Sequence, residues 1–204
     1  MTDGVTGIGV LASGGGSNFE ALARACRDGR IPRAKISLLI VNKRGVGALD
    51  RAARLGIESL VLEPADFPDR VAYYERLAAE LEQRGGQLVC LAGFLLKVEP
   101  NFIRRFPGRI LNIHPALLPK FGGAGMYGHR VHEAVLAAGE KESGCTVHVV
   151  DEEFDHGPIA AQARVPVFPG DTPDALAARV LIEEHRIYPE AVRDFLLCLN
   201  QEKL

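Results

Sequence analysis

Asn112 and His114 stand two residues apart at the end of the short apolar run Ile110-Leu-Asn-Ile-His, which Pro115 closes. A carboxamide and an imidazole at that spacing can work on a carbonyl. The amide N–H and an imidazolium N–H steady an oxyanion while an amine attacks, and a nearby carboxylate raises the imidazole pKa so that it stays protonated near neutral pH. The bland alternative is a core histidine tied to a backbone carbonyl. Carboxylates are on offer in the acidic turn Asp151-Glu-Glu-Phe-Asp155-His-Gly-Pro158, although turns also favour Asp for purely local reasons. There is no G-x-S-x-G elbow and no plausible Cys–His arrangement, so covalent acyl transfer is disfavoured and direct transfer remains.

Other candidates surround this pair. Ser13-Gly-Gly-Gly-Ser-Asn18 lies between a strand and a helix, where free N–H groups and the helix dipole favour an anion such as phosphate. Its spacing is neither GxGxxG nor a P-loop and no Lys follows, which argues against NTP hydrolysis. His129 and His132 could suit a metal, but no third ligand stands near them in sequence. Glu184 shares a helix face with Leu176, Val180 and Ile187, where an unpaired carboxylate is costly.

The elements that must position these groups alternate. Strands are expected at Gly7–Ala12, Ile36–Val41, Ser59–Leu62, Gln87–Leu91 and Ile110–His114, with helices at Phe19–Arg27, Ala48–Leu55 and Arg70–Arg84. Ser17 with Glu20 makes a capping-box pattern that places a helix start just after the glycines. A helix up to Ala138, a strand Cys145–Val150 and an extended stretch Ile159–Val167 follow. The last helix opens with Thr172 as cap and Pro173 at its first position, and Pro189 is expected to break or kink it before a piece running to Cys198. Apolar strands alternating with helices predict an α/β fold: one domain over residues 1–204, a doubly wound, mostly parallel sheet with helices on both faces, and an irregular or antiparallel C-terminal part. Ligands of such sheets gather at the carboxyl ends of the strands, where Asn112 and His114 would point to one side.

Composition excludes some partners. Lys plus Arg (24) nearly balance Asp plus Glu (26), which leaves no basic field for nucleic acid. No apolar run reaches the length of a membrane helix, and the start Met-Thr-Asp-Gly lacks a signal peptide's basic end, so a cytoplasmic location is expected. Cys26, Cys90, Cys145 and Cys198 form no CxxC pair and read as packing residues.

Asn112-Ile-His114-Pro-Ala-Leu-Leu-Pro119, taken with Ser13–Asn18 and Asp155-His-Gly-Pro158, resembles the glycinamide ribonucleotide formyltransferase family, over essentially the whole chain to Glu184-His-Arg-Ile-Tyr-Pro189. The Asn-x-His…Leu-Leu-Pro motif is shared with methionyl-tRNA formyltransferase and formyltetrahydrofolate hydrolase. Those carry an extra domain for which 204 residues are expected to leave no room.

The resemblance implies formyl transfer from 10-formyltetrahydrofolate to the amine of glycinamide ribonucleotide in purine biosynthesis, without metal or nucleic acid, by a monomer or homodimer. It implies a phosphate-binding N-terminal half and a folate-binding C-terminal half. His114 would be general acid or proton shuttle, Asn112 the donor that polarises the formyl carbonyl, and Asp155 the partner that raises the His114 pKa. Gly16, Ser17 and Asn18 would hold the phosphate and Glu184 the amine. Arg70, Leu95, Leu96, Lys97 and Val98 would line the folate site, with the turn containing Asp151 and Glu152 cradling the pterin through its backbone. The chain departs from the family pattern in a longer loop Phe121–Tyr127, in Leu96-Lys97 where many members have the basic residue one place earlier, and in Leu181 at an often polar position. A 10-formyltetrahydrofolate hydrolase and a non-catalytic binder of a phosphorylated ligand are the alternatives.

Overall fold

The computed structural model describes residues 4–201, which leaves Met1-Thr-Asp of the N-terminal reading outside the described residues. Seven strands form a mostly parallel sheet in the order β3-β2-β1-β4-β5-β6-β7, with an antiparallel pair at the C-terminal end and helices around it. The strands are β1 Thr6–Ala12, β2 Ala34–Val41, β3 Ser59–Val61, β4 Gly86–Leu91, β5 Ile110–His114, β6 Glu142–Val149 and β7 Ile159–Pro166. The helices are α1 Ser17–Arg27, α2 Gly47–Leu55, α3 Arg70–Gln83, α4 Pro100–Arg105, α5 His129–Ala137 and α6 Pro173–Gln201. The chain divides into two compact units, Met1–Leu111 and Asn112–Leu204.

In the first unit, β1 pairs in parallel with β2 on one side and β4 on the other, and β2 pairs with β3. The central stretches of β1 and β2 are apolar because both faces are covered there: Ile8, Val10, Leu11, Leu38, Leu39 and Ile40 are fully buried. The chain runs outward from β1 to β3 and then returns to β4, so the strand order reverses at β1 and β4. Such a switch point leaves a crevice beyond the strands' carboxyl ends. Ser13, at the end of β1, meets the loop after β4 there: its N–H donates to the Gly93 carbonyl at 3.0 Å and its hydroxyl accepts from the Leu95 N–H at 3.0 Å.

Two helix starts in this unit differ in kind. Asp69 caps α3 by accepting from the Ala72 N–H at 2.8 Å. The capping box expected from Ser17 and Glu20 does not form. Gly16, at φ +76°, is the residue before α1 and no side chain caps the helix, so Ser17 is already inside the first turn. Glu20 turns instead to charged partners, Arg24 at 2.7 Å and Arg51, which outcompete a backbone N–H. The short helix α4, with Pro100 in its first turn, was not anticipated. It seats Phe102 against Tyr74 and Phe106, edge-on and tilted ring contacts of the kind that add about 1 kcal/mol each to burial.

In the second unit, β6 and β7 are antiparallel, and α6 packs against both and against α5. Of the break or kink expected at Pro189, the break does not occur: α6 is continuous across it. A proline inside a helix costs about 3 kcal/mol. Ile187, Tyr188, Ala191 and Val192 are buried on both sides of it, and that apolar burial outweighs the lost hydrogen bond. No helix among the described residues is long and apolar enough to cross a membrane.

Candidate active site

The second unit brings Asn112, His114 and Asp155 together, and adds His148. Asn112 and His114 lie on one side of β5, as period-two alternation requires, and His148 comes from β6. Asp155 arrives on the turn after β6. It adopts φ +53°, a left-handed conformation that Asp tolerates better than most residues. Gly157 permits the approach, since a Cβ there would sit 1.8 Å from the Val149 carbonyl oxygen. One Asp155 oxygen lies 3.5 Å from His114 Nδ1 and accepts from the Gly123 N–H at 3.0 Å. The other lies 3.5 Å from His148 Nε2 and accepts from Asn112 Nδ2 at 3.4 Å.

Partners assign the protons. His114 Nε2 is 2.8 Å from the Phe121 carbonyl oxygen, which can only accept, so Nε2 carries a hydrogen. His148 Nδ1 faces the Val149 carbonyl at 3.1 Å and likewise donates, which leaves Nε2 as an acceptor for Asn112 Nδ2 at 3.0 Å. The amide nitrogen of Asn112 thus serves His148 first and Asp155 more loosely.

Asp155 does push the His114 pKa upward, as expected, but the net shift runs the other way. Burial dominates and sets His114 below its ordinary value; Asp155 and the Phe121 carbonyl pull upward against it, and His148 adds to the downward push. Only 4% of His114 is exposed, so removing water from the imidazolium costs more than a carboxylate at 3.5 Å returns. Burial would raise Asp155, but the imidazoles of His148 and His114, which face it with positive charge whenever they are protonated, and the Gly123 N–H hold it below the usual carboxylate value. The cluster therefore pairs an ionised carboxylate with an imidazole that starts neutral at pH 7, suited to take a proton and pass it on.

The other predicted residues of this unit are placed differently. Glu184 is buried on α6. Asp151 is occupied locally, accepting from the Glu153 N–H at 3.0 Å and pairing with His156 at 3.0 Å, while Glu152 is exposed. His129 sits between Glu133 and Asp174, each at 3.0 Å, and His132 is buried with its Nδ1 unpartnered and its pKa pushed down to about 4 by burial first and by His129 and His114 second. Among the described residues no cluster of three or more His, Cys, Asp or Glu side chains could hold a metal. Cys145 is driven up to about 12, chiefly by burial, and Cys26 to about 11 by burial alone; Cys90 is buried and Cys198 exposed.

In the first unit, the glycine loop is anchored through its carbonyls. Ala48 N–H donates to Gly14 O at 3.2 Å and Arg51 Nε to Gly15 O at 2.7 Å. Ser17, Asn18 and Phe19 form the first turn of α1, which no side chain caps, and the backbone N–H groups of a helix's first turn point the way an anion uses. A side chain at Gly16 is excluded twice, by its positive φ and by Ala48, whose Cβ would lie 2.6 Å away. Arg70 does reach the 95–98 segment, but by its backbone: Nη2 donates to the Lys97 carbonyl at 2.6 Å and Nε to Glu99 at 2.5 Å, and the Tyr74 hydroxyl donates to the same carbonyl at 2.6 Å. Leu95 is exposed, Lys97 exposed, Leu96 half-buried and Val98 buried.

Sequence reasoning left His148 between site and core and overlooked Thr146 and Gln162. The signal for the first two was available, since Thr146 and His148 stand two apart on β6 as Asn112 and His114 do on β5. The Thr146 hydroxyl donates to the Ala116 carbonyl at 2.6 Å and accepts from the Leu118 N–H at 3.1 Å, tying down the turn that follows His114.

Comparison with known proteins places this geometry. The model of the formyl transferase family matches residues 7–192. The chain belongs to the formyl transferase family. It is 45% identical over 186 residues to the chloroplastic phosphoribosylglycinamide formyltransferase of Arabidopsis thaliana, covering 91% of this chain and 63% of that protein. It is 40% identical over 188 residues to the phosphoribosylglycinamide formyltransferase of Escherichia coli, covering 92% and 86%. A trifunctional purine biosynthetic protein of Drosophila pseudoobscura pseudoobscura is 46% identical over 186 residues, of which this chain spans 13% of the length. Among solved structures of formyl transferases, glycinamide ribonucleotide transformylase 1 from Symbiobacterium toebii superposes with a TM-score of 0.89 at 45% identity, over 96% of this chain and 89% of that one.

Proposed function

We propose that this formyl transferase moves the formyl group of 10-formyltetrahydrofolate to the amine of glycinamide ribonucleotide in purine biosynthesis. The reading is carried by the meeting of Asn112, His114 and Asp155 at one end of β5, in a chain whose relatives bear that activity in their names. The amine nitrogen attacks the formyl carbon directly, and the carbonyl oxygen becomes the oxyanion of a tetrahedral intermediate. Asn112 trades its loose 3.4 Å contact with Asp155 for that oxygen. His114 takes the proton released by the attacking nitrogen and delivers it to N10 of the folate as the carbon–nitrogen bond breaks. Asp155 steadies the imidazolium in between, which a neutral starting imidazole needs only in passage.

The remaining residues bind. Gly16, Ser17 and Asn18 offer backbone N–H groups at the start of α1 to the ribonucleotide phosphate, and Glu184 orients its amine. The folate takes its contacts from Leu95, Leu96, Lys97 and Val98, from the backbone around Asp151 and Glu152, and from Arg70, whose clamp on Lys97 shapes the segment. No step requires a metal, and a cytoplasmic location accompanies this reading. The test is to supply both substrates to purified protein and follow folate absorbance. Turnover that depends on the ribonucleotide is expected; turnover of the folate alone would replace the transferase with a hydrolase, and no turnover would remove the proposal.

A further inference from the structure

The turn from Pro115 to Phe121 decides where one proton of His114 goes, because the Phe121 carbonyl accepts from His114 Nε2 at 2.8 Å. Phe121 holds this carbonyl in a left-handed conformation, φ +57°, which a phenylalanine does not adopt without outside support. Packing cannot supply all of that support. Residues 117–121 border a cavity of about 260 Å³, with Gln162 and Arg164 of β7 on its other wall.

Side-chain hydrogen bonds do supply it. A hydroxyl has one hydrogen to give and room for two to accept. Thr146 uses all three, giving to Ala116 O and accepting from Leu118 N–H and from Gln162 Nε2 at 3.0 Å. It has nothing left for the Leu118 carbonyl. That oxygen is taken by Gln162 Nε2, at 2.9 Å. An otherwise exposed glutamine thus spends its amide nitrogen on two fixed partners at the cavity edge, three residues before Phe121.

We propose that Gln162 is a positioning residue for His114: by holding the Leu118 carbonyl it keeps the turn from relaxing into the cavity, and so keeps the Phe121 carbonyl on the imidazole. The kinetic half of this inference rests on the proposed formyl transfer; the spectroscopic half does not.

Gln162→Met keeps the side chain's length and removes its donor, and Arg164→Ala alters the same strand and cavity wall without touching the turn. With Gln162→Met, kcat is expected to fall roughly three- to tenfold, the equivalent of one hydrogen bond, with KM for both substrates within about twofold of wild type. In protein labelled with ¹⁵N-histidine, the His114 Nε2–H signal should be visible in wild type and Arg164→Ala and broadened by water exchange in Gln162→Met. A variant that keeps both kcat and the signal overturns the inference, as does a lower kcat with the signal intact, or an equal loss in Arg164→Ala. Should wild type transfer no formyl group, the proposed function falls, and the imidazole signal alone decides the role of Gln162.

Discussion

Asp155 and Asp171 are two carboxylates of the second unit, each placed just after a strand and nearly as buried, at 11% and 7% side-chain exposure. Their partners set them apart. Asp171 is closed from three directions by Arg179 Nη1 at 2.7 Å, Arg179 Nη2 at 2.9 Å and the Phe168 N–H at 2.8 Å, and Arg179 lies over the Phe168 ring. That guanidinium bond takes its pKa down to about 2. Asp155 has two imidazoles at 3.5 Å and a carboxamide at 3.4 Å, with a single short bond from Gly123 N–H. A carboxylate saturated by a permanent charge is finished as structure. One surrounded by long contacts to groups that gain and lose protons has capacity left for chemistry.

The comparison breaks most directly at Asp155. Asp155→Asn is expected to lower the transfer rate by about 10²- to 10⁴-fold while the protein stays folded in urea titration; a variant with more than a tenth of wild-type rate would dissolve the distinction. Stability should feel the titratable side as well. His132 sits at about 4 when folded against about 6.5 unfolded, so its contribution is whole above pH 6.5 and is lost as pH falls from there through 4, because the unfolded chain takes up a proton that the buried ring refuses. The loss amounts to about 3 kcal/mol by the acid end. Comparing urea midpoints of wild type and His132→Leu at pH 7.5 and 4.5 checks it, since the substitution should flatten that part of the slope.

Smaller effects sharpen the contrast. Gly16→Ala introduces a Cβ against Ala48 at positive φ, where no charge is involved; a loss of about 2 kcal/mol is expected, with a raised KM for the ribonucleotide and an unchanged KM for the folate. Asp171→Asn should move the urea midpoint and leave the transfer rate within about twofold, a kinetic indifference that an assay at neutral pH would expose at once.

Local chemistry made part of this legible from residues alone. Pro115 and the run before it mark β5 residue for residue, and Gly56 ends α2 in a left-handed turn, φ +66°, as a glycine stop should. What failed depended on the rest of the molecule. Pro189 reads as a breaker until apolar neighbours on both sides hold the helix through it. Glu20 reads as half of a capping box until Arg51, 31 residues away, claims its carboxylate. The net direction of the His114 shift escapes the sequence because a carboxylate about forty residues on is visible as a motif, whereas burial is the sum of many residues that carry no mark of their own. Gln162 has no local signature at all, for its partners, the Leu118 carbonyl and the Thr146 hydroxyl, lie far from it in sequence.

The sulfur atoms carry a practical consequence. With Cys26 and Cys145 held as unreactive thiols and Cys90 enclosed, a maleimide dye at neutral pH should attach to Cys198 and leave the other three bare. That anchors a fluorophore on α6, the helix that also bears Glu184, so native protein could be tagged once, without engineering, and its emission watched as each candidate metabolite is added.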